Sequence, residues 1–216
     1  MKNSTLNRRR FLQHSAAGVT AAALARRHSL RAANQAANKL RVGVIGLGRG
    51  MAHVNNYLKI SDVEVAYVCD VDDNRTANGL SVVTKGQTAP CRGITDLRRM
   101  LDDPHLDAIS IAAPNFWHAP ATILGCQAGK HVYVEKPMSH DVHEGRVAVE
   151  AQRKYGVVIQ HGTQQRSSAN VAGLHEMINA GKFGKLMISY GYCCKPRTGI
   201  GFKSPSAPPS TLDWNL

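Results

Sequence analysis

The run Val132-Tyr133-Val134-Glu135-Lys136-Pro137 delivers a carboxylate and an amine side by side at the end of a short apolar strand. A proline fixes the turn behind them. Such a pair is badly placed for packing and well placed for chemistry, because open α/β sheets bind ligands in the crevice outside the carboxyl ends of their strands. The plainer reading of Lys136 is a structural ion pair with Glu135, and what the lysine does depends on what else the chain supplies nearby.

A glycine turn is the first such supply. Val42-Gly43-Val44-Ile45-Gly46-Leu47-Gly48-Arg49-Gly50-Met51 sets Gly46-x-Gly48 between a strand and a helix. The first glycine permits a tight turn and the second lets a pyrophosphate approach the backbone, with the unpaired N–H groups of the helix start facing the anion. Met51 stands where a third glycine belongs, which predicts a slightly altered helix start. The next strand ends at Cys69-Asp70, and a carboxylate there can take both hydroxyls of an adenosine ribose. It would repel a 2′-phosphate, so NAD is expected over NADP. The alternative is that Asp70 caps the following helix, a task equally open to Asp72 or Asp73. On the same sheet edge lies Pro114-Asn115-Phe116-Trp117-His118. Asn115 suits both helix capping and a ligand. His118 falls in a helix's first turn, where a neutral imidazole is favoured and can hydrogen-bond a ribose or amide; a packing histidine is the alternative.

These residues require a strand and helix series to hold them. Strands are expected at Leu40–Ile45, Val63–Cys69, Asp107–Ala112, His131–Val134 and Val157–Gln160. Helices are expected at Arg49–Leu58, Asn74–Thr84, Thr95–Leu101, Trp117–Ala128 and Val142–Tyr155. Short apolar strands alternating with amphipathic helices predict an α/β fold, a parallel sheet doubly wound in the Rossmann manner. Right-handed crossovers then bring every strand's C-terminal end to one edge. After Gly162 a helix over Asn170–Ala180 and a strand over Leu186–Tyr192 precede a Pro/Gly/Ser-rich stretch. The predicted organisation is residues 1–38 as leader and linker, 39–162 as the nucleotide domain, and 163–216 as an incomplete start of an α+β domain.

Charge is concentrated at the front. The chain has 27 basic and 15 acidic residues, and nine of the basic ones with none of the acids lie in residues 1–41. The remaining 18 against 15 is no footprint for nucleic acid. Asn7-Arg8-Arg9-Arg10-Phe11-Leu12 and the alanine-rich run to Ala25 read as a twin-arginine export signal, too short to span a membrane. A presequence-like or plain amphipathic helix is the alternative, and the cleavage point (Ala25, near Ala33, or none) stays open. An exported, periplasmic protein that uses the twin-arginine machinery is expected. The five cysteines (Cys69, Cys91, Cys126, Cys193, Cys194) show no metal-ligand spacing, and buried free thiols are expected for most.

Taken together, Gly46-x-Gly48, Asp70, Pro114-Asn115-x-x-His118 and Glu135-Lys136-Pro137 resemble the glucose–fructose oxidoreductase / inositol dehydrogenase (Gfo/Idh/MocA) family. The leader, Gln164-Gln165-Arg166 and Leu212-Asp213-Trp214 resemble its exported members in planctomycete-type bacteria. The resemblance implies that Gly46, Gly48, Arg49 and Asp70 hold NAD, with Pro114, Asn115, His118, Glu135 and Pro137 also on the cofactor. It implies a cis Lys136-Pro137 peptide and a catalytic Lys136 between nicotinamide and a sugar or polyol. Beside a substrate hydroxyl, the ammonium would favour deprotonation and stabilise the alkoxide as hydride leaves. Gln164, Gln165 and Arg166 are expected either on the same crevice or in a solvated loop. The family's Asp and His pair, one helical turn apart in the second domain, has no counterpart after Lys136. The expectations are therefore an oxidoreductase reduced mainly to nucleotide binding, a redox-neutral glycosidase using bound NAD, or a non-catalytic cofactor-binding remnant. No metal is expected, and oligomeric state is left open.

Overall fold

The computed structural model describes residues 39–193, 196, 198–199 and 201–216. The arginine-rich leader and Cys194 lie outside the described residues.

Six strands form one wholly parallel sheet: β1 (Leu40–Ile45), β2 (Val63–Cys69), β3 (Arg92–Ile94), β4 (Ala108–Ile111), β5 (His131–Glu135) and β6 (Ile159–Gly162). Their spatial order is β3-β2-β1-β4-β5-β6. The helices are α1 (Gly50–Tyr57), α2 (Asp73–Gly86), α3 (Arg98–Leu101), α4 (His118–Gln127), α5 (Val142–Tyr155) and α6 (Ala169–Asn179). The doubly wound α/β fold is the one the sequence predicts.

The strands are apolar throughout because both sheet faces are covered. Val44, Val65 and Val68 pack with Val54 of α1 and Val83 of α2 on one side. Ile109, Ile111, Val132 and Val134 pack with Ala121 and Cys126 of α4 and Ala151 of α5 on the other. The β1–β2 register slips between Val42 and Gly43, so Ala66 is an extra residue. That bulge lets Val65 and Val68 share one face while Ala66 and Tyr67 take the other.

Helix limits follow local chemistry. Asp72 caps α2 by accepting from the Asn74 N–H, which leaves Asp70 free of that duty. Asp141 caps α5 by accepting from the Glu144 N–H, and Gly156 closes it in the left-handed region at φ 64°.

The helix expected over Thr95–Leu101 is shortened to Arg98–Leu101, and two larger departures stand beside it. β3 was not foreseen, since Arg92-Gly93-Ile94 has three residues and no strand signature, and exists by pairing with the end of β2. The expected strand over Leu186–Tyr192 is absent: the segment is irregular, and Met187, Tyr190 and Tyr192 are at least three-quarters exposed. Its alternating pattern has no ladder to join among the described residues, and a lone strand is not stable. α6 forms as expected but buries no side chain. No helix among the described residues is long and apolar enough to cross a membrane.

One later segment returns to the sheet. The Asp73 N–H donates to the Thr211 carbonyl and the Asp213 N–H to that of Val71, each at 2.9 Å. Between them Asp72 and Leu212 form an antiparallel bridge.

Candidate functional site

The chain order reverses between β1 and β4, and the loops leaving these two strands meet at the C-terminal edge, where open sheets bind ligands. Gly46 has φ 83°, and a Cβ there would lie 2.5 Å from the Ala113 nitrogen. Both the turn and the close approach of the two loops require glycine. At Gly48 a Cβ would meet only the end of the Arg75 guanidinium, at 2.9 Å, so the backbone here is covered by one flexible side chain rather than by packed protein. The missing third glycine is answered one residue early. Gly50 opens α1, and its Cβ position lies 3.1 Å from Val44 of β1, giving the close helix–strand contact. α1 carries no side-chain cap and no acid in its first turn; the Gly50 N–H donates to the Gly46 carbonyl and the Ala52 N–H to that of Arg49, so the helix start is held by the main chain of the glycine turn itself.

Asp70 sits beside this turn. Its Oδ2 accepts from the Leu47 N–H at 2.7 Å and its Oδ1 from the Asp72 N–H at 3.1 Å. Two amides hold a half-buried carboxylate that keeps lone pairs for a ribose. Arg75, unforeseen from the sequence, lies 3.7 Å from Asp72 Oδ2 and over Gly48.

Glu135 ends β5 almost fully buried, at 4 % exposure. Its Oε1 accepts from the Gln164 amide at 2.7 Å and lies 3.3 Å from His53 Nε2 and 3.4 Å from Arg49 Nε. Its Oε2 accepts from the Lys136 N–H at 3.1 Å. Burial pushes this carboxyl up, but the Lys136 amide, His53 and Arg49 together outweigh it and hold it below its ordinary range. Arg49 thus belongs to the carboxylate as well as to the glycine turn. Lys136 itself is exposed and its side chain has no partner among the described residues. The structural ion pair with Glu135 is not formed.

The Lys136-Pro137 peptide is cis, as expected. His118 departs from its reading as a ring open to the cofactor. It is 3 % exposed, with Nδ1 2.5 Å from the Pro137 carbonyl and Nε2 2.8 Å from that of Ala113. The imidazole ties the β4 loop to the β5 turn, and both nitrogens are committed to main chain. Pro114 and Asn115 are exposed at a short 3-10 turn, Asn115–Trp117. Asn115 makes no side-chain cap bond to that turn or to α4, so its capping role is not realised. Gln164 joins the Glu135 cluster and also donates to the Tyr133 hydroxyl at 3.2 Å. Gln165 and Arg166 stay exposed in their own 3-10 turn.

His53 was missed from sequence. It stands four residues after Arg49, on the same face of α1, and that spacing was the available signal. Cys69 and Cys126 are buried free thiols, as expected, whereas Cys91 is only half-buried and Cys193 exposed; burial pushes Cys69 up to about 12.

A glycine turn, a ribose-competent acid and a buried carboxylate beside a lysine with no partner among the described residues thus lie together on one sheet edge of a Rossmann-type domain. The chain belongs to the oxidoreductase family with an NAD-binding Rossmann fold known as GFO_IDH_MocA, whose profile matches residues 40–163. Over 144 residues it is 31 % identical to the uncharacterized oxidoreductase YrbE of Bacillus subtilis, covering 66 % of this chain and 40 % of that protein. Myo-inositol 2-dehydrogenase of Thermotoga maritima is 29 % identical over 147 residues, or 68 % and 42 % of the two chains. The WlbA dehydrogenase of Bordetella pertussis, solved with NADH and UDP-GlcNAcA, superposes with a TM-score of 0.63 at 27 % identity, over 69 % of this chain and 42 % of that one. The chain therefore matches about two fifths of the length of these relatives.

Proposed function

We propose that this chain carries the cofactor half of an NAD-dependent oxidoreductase acting on a sugar, polyol or derivative, with export by the twin-arginine route. The observation that carries it is the pairing, on one sheet edge, of the Gly46–Gly48 turn beside Asp70 with Glu135 beside an unpaired Lys136.

The residues fit NAD: at Gly48 only the flexible end of Arg75, itself a cation, covers the backbone that a pyrophosphate would approach, and Asp70 keeps acceptor capacity for ribose hydroxyls without a 2′-phosphate. Gly46, Gly48, Arg49 and Asp70 would hold the adenosine and diphosphate portion. Glu135 and the Pro114–Asn115 turn would face the nicotinamide portion, with His118 bracing Pro137 from below. The cofactor, when bound, supplies the hydride acceptor. Lys136 would orient the substrate hydroxyl and stabilise the negative charge developing on its oxygen as the proton passes to solvent. The proposed organisation is a leader and linker over 1–38, the nucleotide domain over 39–162 and a substrate-side segment from 163.

The test is fluorescence titration of the purified chain with NADH, followed by a panel of sugars and polyols with NAD. Saturable NADH binding and net NADH formation on at least one polyol are expected. Binding without turnover would restrict the protein to a cofactor-holding role. Release from aryl glycosides with no net NADH would replace the oxidoreductase by a redox-neutral glycosidase, and absence of NADH binding would overturn the proposal.

A further inference from the structure

Glu135 is surrounded by donors of unequal quality. Arg49 reaches Oε1 from a side chain that is 64 % exposed, at the long distance of 3.4 Å. Gln164 donates from an exposed 3-10 turn. His53 is the one side-chain donor to this carboxylate that is itself buried, at 9 % exposure.

Its ring is fixed on three sides. Nδ1 lies 2.9 Å from the hydroxyl of Ser110, a fully buried residue of β4. The ring stands edge-on to Tyr133, with centroids 5.4 Å apart at 87°. Nε2 faces Glu135 Oε1, and an ionised carboxylate can only accept, so the proton resides on Nε2. In the neutral ring Nδ1 then accepts from Ser110, which sets the tautomer through a residue on a neighbouring strand.

The consequence falls on the carboxylate. Oε1 meets His53, Gln164 and Arg49 and has no further capacity, whereas Oε2 receives one bond, from the Lys136 N–H. We infer that His53 is a positioning residue that commits Glu135 Oε1 to the protein, presenting Oε2 as the acceptor for a sugar hydroxyl of the bound dinucleotide, with Ser110 setting the histidine ring. Resting on the assignment of Glu135 to the cofactor side, this extends that assignment to one oxygen and to two buried residues that touch no ligand.

The inference separates the two halves of the dinucleotide. NADH engages both the glycine turn and Glu135, while ADP engages only the former. In the full chain, His53→Ala should weaken NADH binding about ten-fold, the loss of one charge-assisted hydrogen bond, and leave ADP affinity within about two-fold. His53→Gln, which keeps a terminal N–H, should recover most of the NADH affinity. Ser110→Ala, which removes the ring's support without touching Glu135, should weaken NADH a few-fold and spare ADP, and it decides the matter if His53→Ala does not fold. Unchanged NADH affinity in these variants, or equal losses for NADH and ADP, would overturn the inference. A wild-type chain that binds ADP but not NADH would remove the assignment of Glu135 first, and this inference with it. Loss of both ligands by the wild type would reach back to the glycine turn.

Discussion

Two carboxylates stand on the same sheet edge, one just after β2 and the other at the end of β5, and the fold treats them differently. Asp70 is half-buried and held by two main-chain amides that the turn and the β2–α2 loop supply regardless of side chain. Glu135 is almost wholly buried and held mainly by side chains: Arg49 just before α1, His53 within it and Gln164 in the turn after β6. An acid fixed by backbone is a property of the topology. One fixed by side chains depends on Arg49, His53 and Gln164 being present together, and when it is lost those donors lose their partner. The Asp70 end therefore depends on the path of the main chain, whereas the Glu135 end is built around specific side chains.

The largest test of that contrast is Glu135→Ala. It leaves the buried His53 ring facing no acceptor and should cost about 2–3 kcal/mol of stability, read from urea unfolding at neutral pH. Because the folded carboxyl lies below its ordinary range, its stabilisation is present above that range and is lost as pH falls through the lowered folded value. The gap between wild type and variant should therefore narrow below about pH 4. A gap independent of pH would show that packing, rather than the charge, accounts for the loss.

Asp70→Asn should be milder, about 1 kcal/mol, since one amide oxygen can still accept from one of the two N–H groups. A cost equal to that of Glu135→Ala would erase the distinction between the two acids. Smallest of all, Lys136→Met should change stability by no more than about 0.5 kcal/mol, because the side chain is exposed and unpaired. A larger loss would mean that Lys136 belongs to the Glu135 cluster after all.

Much of this was legible from residues close together in the chain. Buried strands were visible as apolar runs, Gly46 and Gly48 as a turn, and Glu135-Lys136-Pro137 as a strand end with chemistry on it. What escaped depended on distance. β3 exists by pairing with β2, and His53 acquires its meaning from Ser110 and Glu135, 57 and 82 residues away. His118 was found by spacing, but its burial beneath Pro137 follows from how two loops pack, which local pattern does not encode. The Leu186–Tyr192 pattern misled because alternation marks a strand only where a neighbour offers a ladder.

The short strap formed by Thr211–Asp213 has a consequence of its own. Roughly thirty residues separate α6 from it, and closing a loop of that length costs on the order of 3 kcal/mol in chain entropy. Two main-chain hydrogen bonds at about 1 kcal/mol each, with the partly buried Leu212, come close to balancing that cost. The strap is therefore expected to open by itself while the sheet stays closed. The Asp213 amide should exchange with solvent far faster than those of β1 and β4, although it is tied to the residue next to Asp70.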